Sequence, residues 1–231
     1  IGMPKGYSSQ PVDSNQTEAV YRVIIESLNS GGSSLSVRDY SVRYSAEGDV
    51  VSHENGQRFT LCPNFALKTP KISKTGKYLA AYSVSEKVTQ LFAIDITEEN
   101  GQQQHSCDLL PQADFGMQTG KVDFNFSDDM LAYHVTRYDT DIAIEPGWPS
   151  TISQNEKRDV YVATLVENRL ETMTRVTPPS GYGEGGWYPS FANDNQLVYM
   201  TKLVADNELS HGLVRVDPST MEYLPYAYTP K

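Results

Sequence analysis

Three short stretches of the chain repeat one pattern of residue types, and this repeat limits the folds that are possible. The copies are ISKTGKYLAAY (72–82), FSDDMLAYHV (126–135) and FANDNQLVYM (191–200). Each copy begins with an apolar anchor, which is Ile72, Phe126 or Phe191. A turn rich in Gly, Asp or Asn follows, and then an apolar run. Apolar runs separated by residues that tolerate positive φ predict β-hairpins.

Each hairpin is followed by further apolar runs that extend it. A third run has the sequence TQLFAID (89–95), RDVYVATL (158–165) or HGLVRVD (211–217), and a weaker fourth run lies around SCDLLP, LETMTRV or MEYLPY. An isolated hairpin is barely stable in water, so each copy needs these additional strands. Four antiparallel strands in each unit predict the blade of a β-propeller. The anchor spacing fits blades of about 40 to 50 residues that carry insertions.

The repeated pattern also has a counterpart in a known family. An apolar residue, a Ser, a turn and an apolar run, followed by a strand that ends in Asp, resembles the WD40-like PD40 repeat of TolB-type propellers. PKISKTGKYLAAY, VDFNFSDDMLAY and YPSFANDNQLVYM carry the resemblance, within residues 66–226. It implies an all-β propeller of four-stranded antiparallel blades. We expect about four blades here, as a small ring or as part of a larger one.

We expect residues 1–231 to form a single propeller domain. Residues 66–226 hold three clear blades, and residues 41–65 hold a degenerate one, because VRYSAEGDVV (42–51) repeats the pattern weakly. Residues 1–40 precede these blades. Within them, residues 16–29 allow either a helix or a strand, and the alternation of Tyr21, Val23 and Ile25 favours a strand.

Charge and cysteine content bear on partners and location. The chain has 29 acidic and 19 basic residues, a net charge of −10 that would repel nucleic acid. No apolar run reaches the roughly 18 to 20 residues of a membrane-spanning helix. Cys62 and Cys107 lie near the ends of successive repeats, so we expect one disulfide, with two free thiols as the alternative. A disulfide would indicate an oxidising compartment, periplasmic or extracellular in a bacterium.

The usual sequence signatures of enzymes and cofactor sites are mostly missing. The chain has no G-x-S-x-G, H-E-x-x-H or glycine-rich phosphate loop, so we expect a binding protein rather than an enzyme. The insertion between strands at 135–159 contains Asp139, Asp141 and Glu145, whose oxygens are suitable ligands for Ca²⁺. The spacing lacks the Gly of a calcium loop, so a solvated acidic turn is the favoured alternative. We expect no other cofactor.

Aromatic residues in two loops are candidates for contacting a ligand or partner. They are Tyr138 and Trp148 in the insertion, and Tyr182, Trp187 and Tyr188 in SGYGEGGWYPSF (180–191). Flat rings on loops are common in binding surfaces, because they provide contact area at little entropic cost. Packing within or between blades is the alternative for both tryptophans.

The favoured function is a non-enzymatic binding or scaffolding propeller of an exported bacterial protein, which docks a protein partner through loops on one face. One alternative is a carbohydrate-binding or accessory module of a secreted polysaccharide-degrading system, with a polysaccharide as the partner. Another is a metal-dependent lyase or hydrolase with an axial site, as in some related propellers. We also expect other domains of a longer parent chain as partners.

Overall fold

A computed structural model of the chain describes residues 4–14, 17–29, 32–99, 102–111, 119–138, 156–177, 184–192, 196–205 and 208–226. Within these ranges every regular element is a β-strand. The chain divides into two compact units, Ile1–Ala113 with Glu167–Arg169, and Asp114–Val166 with Leu170–Lys231. A single domain over 1–231 stays a prediction. Among the described residues, no helix has the length and apolar character needed to cross a membrane.

The first unit contains two antiparallel sheets. Sheet 1 has β1 (Pro4–Ser14), β2 (Glu18–Asn29), β3 (Gly32–Tyr44) and β4 (Val50–Asn55) in that order, and β5 (Phe59–Leu61) also pairs with β3. Sheet 2 has β6 (Leu67–Ile72), β7 (Tyr78–Ser83), β8 (Val88–Glu99) and β9 (Gln102–Leu109). In sheet 2 each strand pairs with the next one in the chain, and in sheet 1 this holds for β1 to β4.

The second unit repeats this arrangement. Sheet 3 has β10 (Thr119–Phe124), β11 (Met130–Tyr138), β12 (Glu156–Val166) and β13 (Arg169–Arg175). Sheet 4 has β14 (Glu184–Phe191), β15 (Leu197–Ala205), β16 (Glu208–Asp217) and β17 (Glu222–Tyr226). Sheets 2, 3 and 4 are therefore four-stranded meanders, as the sequence predicts, and the all-β class with antiparallel propeller blades is confirmed.

Each unit has its own apolar core between its two sheets. The core of the first unit includes Ile24, Leu35, Val37, Leu61, Leu67, Ile72, Leu79 and Phe92, and that of the second includes Val160, Val176, Phe191, Leu197, Tyr199 and Val216. Side chains alternate between the two faces of a strand, so one face of each strand contributes to this core. Burial of these apolar faces is the main favourable contribution to packing the sheets.

The disulfide between Cys62 and Cys107 is confirmed. Cys62 follows β5 at the end of sheet 1, and Cys107 lies in β9 of sheet 2. Their Cα atoms are 5.2 Å apart, and 45 residues separate them in the chain. The bond therefore links the two sheets of the first unit covalently.

The hairpin cassettes form as predicted, with one error of register. Ile72 and Phe191 are buried at the ends of β6 and β14, but Phe126 is 45% exposed and the buried anchor of the middle copy is Phe124. Asn125 takes the place of Ser73: its N–H donates to the Met130 carbonyl, as that of Ser73 donates to Tyr78. The sequence FNF (124–126) places two phenylalanines two residues apart, on the same face of a strand. The pattern of apolar residues therefore does not indicate which of them is buried.

A second difference concerns the weak copy at 42–51. Its turn does form a hairpin, in which the Ser45 N–H donates to the Asp49 carbonyl at 2.8 Å. This hairpin joins β3 to β4, the third and fourth strands of sheet 1, whereas the three clear cassettes join the first two strands of their sheets. Sheet 1 therefore begins well before residue 41, and Glu18–Asn29 is strand β2 rather than a helix.

The first strand of sheets 2, 3 and 4 contains the same irregularity. The register of β6, β10 and β14 with the following strand shifts just before the anchor. At the shift, Thr69, Lys121 and Tyr188 adopt left-handed backbone with φ of 49°, 45° and 52°. These three positions are equivalent, because each lies three residues before the buried anchor. Such bulges redirect a side chain at a fixed place in the strand, and bulky residues rarely adopt this conformation.

Candidate functional site

Tyr188, at the bulge of β14, is the most exposed aromatic side chain of the predicted binding residues that the structure describes. Its side chain is 51% exposed, although the residue lies inside a strand whose neighbours Gly186 and Pro189 are buried. Left-handed backbone costs a non-glycine residue about 1 to 2 kcal/mol. The same left-handed backbone occurs at Thr69 and Lys121, so the feature that makes Tyr188 a candidate contact residue is its large exposed ring.

Lys121, at the equivalent bulge of β10, contacts the Tyr188 ring. Its Nζ atom lies 5.7 Å from the ring centroid, within the range of a cation–π interaction. Lys121 is itself exposed. The two bulges thus bring an ammonium group and an aromatic ring together at the surface of the second unit.

His134 lies beneath Tyr188. The centroids of the two rings are 6.1 Å apart and the planes are almost perpendicular, at 89°. His134 belongs to β11 and is paired in register with Gly120 of β10. A Cβ on Gly120 would lie 2.7 Å from Nε2 of His134, so only glycine leaves room for the imidazole here. The imidazole therefore supports the ring from inside the sheet.

The electrostatic environment keeps His134 neutral. Burial, together with the positive charges of Arg158 and Lys121, lowers the pKa of His134 to about 4. Within the described part of the chain, Nδ1 of His134 is buried and has no hydrogen-bond partner. A neutral, buried imidazole of this kind acts as packing for Tyr188 and adds no positive charge beside Lys121.

Gly186 allows β14 to approach β12 closely. A Cβ on Gly186 would lie 2.7 Å from Cγ2 of Val160 and 3.0 Å from the ring of Tyr199. The buried hydroxyl of Tyr199 donates to the Val176 carbonyl at 3.1 Å, and burial raises its pKa. This close packing fixes the strand on which Tyr188 is placed.

Trp187 differs from Tyr188 in exposure. It is half-buried and paired in register with Met200 of β15. Its Cη2 atom lies 3.1 Å from the Cβ position of Gly185, so the indole folds back over its own strand. The arrangement resembles the packing alternative more than an open platform, and a binding role for Trp187 stays a prediction.

The other predicted site residues lie outside the described structure. Tyr138 ends β11, and only its backbone is described. Trp148, Tyr182, Asp139, Asp141 and Glu145 fall outside the described ranges, so the calcium site and the second aromatic loop stay predictions. Within those ranges, no group of three His, Cys, Asp or Glu side chains is placed to hold a metal ion.

A concave surface lies on sheet 1 in the first unit. It is a shallow groove of about 550 Å³ lined by Tyr21, Val23, Tyr40, Val42, Tyr44, Val50 and His53. The hydroxyls of Tyr21 and Tyr44 are 3.0 Å apart, and this hydrogen bond is the main reason that the pKa of Tyr44 is raised. These side chains come from the strand face opposite to the one that contributes Ile24 to the core.

Sequence reasoning missed Lys121, His134 and the groove tyrosines. A signal for Lys121 did exist, because it lies three residues before Phe124 just as Tyr188 lies three residues before Phe191. The incorrect choice of Phe126 as the anchor concealed this equivalence. The groove residues come from three strands of sheet 1, and no local motif links them.

Comparison with known proteins supports the fold assignment. No protein-family model and no curated protein matches the chain. Among solved structures, the chain is similar to the orthorhombic form of Pyrococcus horikoshii acylaminoacyl peptidase, with a TM-score of 0.52 and 11% identity over 97% of this chain. The match spans 32% of the peptidase, about a third of its length. This likeness supports the β-propeller class.

Two further matches have lower scores. An uncomplexed structure of the same peptidase gives a TM-score of 0.48 at 11% identity, with 97% of this chain and 32% of that chain covered. A putative 6-phosphogluconolactonase from Bacteroides uniformis ATCC 8492 gives 0.41 at 12% identity, with 97% and 71% covered.

Proposed function

We propose that the protein is a non-catalytic binding module that docks a protein partner through the surface formed by Tyr188 and Lys121. The observation that carries this proposal is the exposure of the Tyr188 ring on left-handed backbone, with an ammonium group over its face and a buried imidazole beneath it. Tyrosines held rigidly at a surface are typical of protein-binding sites, because little side-chain entropy is lost on contact.

The equivalent bulge of sheet 2 supports a specific role for Tyr188. There the left-handed residue is Thr69, whose backbone N–H donates to the buried carboxylate of Glu26 at 2.8 Å. A small side chain thus satisfies the backbone geometry of the bulge. A large aromatic ring is not required for folding, so its presence at the bulge of sheet 4 favours a contact role.

The proposal includes export and attachment to other domains. The Cys62–Cys107 disulfide is typical of proteins from oxidising compartments. The resemblance of the cassettes to the PD40 repeats of TolB-type propellers favours the same location. The similar peptidase is about three times as long as the matched region, which supports the expectation of further domains in a longer parent chain.

The test is selection of a phage-displayed library of random linear peptides on the immobilised protein. We expect enriched peptides that bind the wild type and lose about tenfold or more in affinity for Tyr188→Gly. Glycine adopts positive φ without strain, so this variant removes the ring and preserves the bulge. Thr69→Gly is the matched control: it makes the same backbone change in sheet 2 and should leave peptide binding unaltered.

Two outcomes would contradict the proposal. One is a library that yields no enriched peptide, and the other is peptide binding that Tyr188→Gly does not weaken. Affinity electrophoresis in soluble glycans is run in parallel. Retardation that disappears in Trp187→Ala but persists in Tyr188→Gly would favour the carbohydrate-binding alternative.

A further inference from the structure

Lys121 is an exposed lysine that contacts an exposed aromatic ring. Its ammonium group lies over the Tyr188 ring, and within the described residues it makes no ion pair. The whole chain has a net charge of −10, so carboxylates are plentiful elsewhere. A cation that remains exposed beside an aromatic ring is available to a carboxylate from another molecule.

The neighbouring acidic side chains are already occupied. Asp159 is buried and accepts hydrogen bonds from the guanidinium of Arg175, with the shortest distance at 2.7 Å. Asp123, also buried, accepts from the Phe191 N–H at 2.8 Å and from the Ser190 hydroxyl at 3.0 Å. Neither of these carboxylates is directed at Lys121 in the described contacts.

His134 adds no positive charge to this patch. Burial and the charges of Arg158 and Lys121 lower the pKa of the imidazole to about 4, so it is uncharged at neutral pH. An anion that approaches the exposed Tyr188 ring therefore meets the ammonium group of Lys121 over the ring.

The global charge limits the kind of anion that fits. An extended polyanion such as a nucleic acid or an acidic polysaccharide would be repelled by the rest of this acidic chain. A short peptide with one or two carboxylates is not subject to that repulsion to the same degree. Its carboxylate can pair with Lys121 while a neighbouring apolar side chain packs on Tyr188.

We propose that the partner segment bound at Tyr188 is an acidic peptide, with an Asp or Glu carboxylate paired to Lys121. This inference rests on the proposed function, because it specifies the chemistry of the same site. Charge-assisted hydrogen bonds to an ammonium group are about twice as strong as neutral ones, so the pair contributes specificity as well as affinity.

The test measures fluorescence anisotropy with labelled peptides enriched from the library. Each peptide is paired with an analogue in which Asp and Glu are replaced by Asn and Gln. We expect the enriched peptides to carry one or two acidic residues and to bind about tenfold more tightly than their amide analogues. Lys121→Gln should weaken the acidic peptide by about the same factor and leave the amide analogue unchanged.

Sheet 2 provides a matched control. Nζ of Lys68 lies 4.8 Å from the ring centroid of Tyr82, so Lys68→Gln removes a similar cation–π pair away from the site. This variant should bind both peptides like the wild type. High salt should weaken the acidic peptide and not its analogue, because ions screen an exposed pair.

The outcomes separate the two proposals. Peptide binding that depends on Tyr188 but is equal for the acidic and amide forms, or is unaffected by Lys121→Gln, would overturn the inference and leave the docking function intact. Displacement of the acidic peptide by soluble polygalacturonate at equal carboxylate concentration would also overturn it, in favour of an acidic polysaccharide. Failure to enrich any peptide would refute the docking function, and the inference with it.

Discussion

Sheets 2 and 4 contain the same bulge, but a buried acid from the preceding sheet supports each bulge at a different atom. In the first unit, Glu26 of β2 accepts the N–H of Thr69, the left-handed residue itself. In the second unit, Asp123 of β10 accepts the N–H of Phe191, three residues after Tyr188. The comparison teaches that one backbone irregularity is compatible with different side-chain anchors, and that the left-handed residue is exposed in both sheets but carries a large aromatic ring only in sheet 4.

The units also differ in covalent stabilisation. The first contains the Cys62–Cys107 disulfide, whereas the second has no cysteine, because the chain has only these two.

Both tryptophans, Trp148 and Trp187, belong to the second unit. Tryptophan fluorescence therefore reports on unfolding of the second unit. Hydrogen exchange of individual strands reports on unfolding of either unit.

The largest expected effect comes from removal of the disulfide. Closing a loop of 45 residues contributes about 4 kcal/mol in the chain-entropy model, so Cys62→Ala/Cys107→Ala should lower the free energy of unfolding of the first unit by about that amount. Hydrogen exchange in β6 to β8 during a urea titration measures this loss in the free energy of unfolding. The tryptophan transition of the second unit should move much less. Equal shifts in both signals would contradict independent stabilisation of the two units.

The buried acids provide the second test. Asp123→Ala leaves the buried Phe191 N–H without its acceptor and removes two hydrogen bonds, so we expect a loss of about 3 kcal/mol in the second unit. Glu26→Ala removes one such bond, to Thr69, and should cost about 2 kcal/mol in the first unit.

Urea unfolding of each variant measures these losses. Glu54→Ala in β4 changes an exposed carboxylate and serves as the control, with an expected change within about 0.5 kcal/mol. If Asp123→Ala proved as mild as Glu54→Ala, Asp123 would not be the anchor in sheet 4, and the same result for Glu26→Ala would exclude Glu26 as the anchor in sheet 2.

The third test uses pH and concerns only the second unit. The pKa of His134 is about 4 in the folded chain, below its ordinary value of 6.5, so the unfolded state binds more protons between these values. The stabilising contribution is therefore complete above pH about 6.5 and is lost as the pH falls towards 4. We expect a loss of about 3 kcal/mol between pH 7 and 4 from this group.

His134→Gln is the control for that test, because its side chain does not titrate. The difference between wild type and variant in the pH dependence of the tryptophan transition isolates the imidazole from the carboxylates that titrate in the same range. Parallel curves for the two proteins would show that His134 does not contribute.

Much of the fold was predictable because its signals are local. Runs such as TQLFAID and RDVYVATL fall inside β8 and β12, and the weak fourth runs fall inside β9, β13 and β17. Turn residues and alternating apolar positions are contained within a few residues, so a single sequence carries them. The prediction of Phe126 as the buried anchor was wrong. Phe124 and Phe126 lie two residues apart and have the same place in an alternating pattern, so they differ only in their burial in the folded chain.

The candidate site was less predictable. Tyr188 is visible as an aromatic residue near glycines, but Lys121 and His134 come from other strands and meet it only through the pairing of β10 with β11 and the packing of β14 against them. The register of strand pairing brings together side chains that are far apart in the chain. This register depends on bulges, and a bulge has no unambiguous signal in the sequence. The docking role and the calcium site remain predictions.

Because every sheet is drawn from consecutive strands, the order of synthesis matches the order of assembly. The last strand of sheet 1 ends at residue 61, before the first strand of sheet 2 begins at residue 67. A nascent chain leaving the ribosome can therefore complete one sheet before the next emerges, because the described strands of each sheet are consecutive in the chain. We expect the disulfide to form only after Cys107 has emerged, when sheet 1 is already available to hold Cys62 in place.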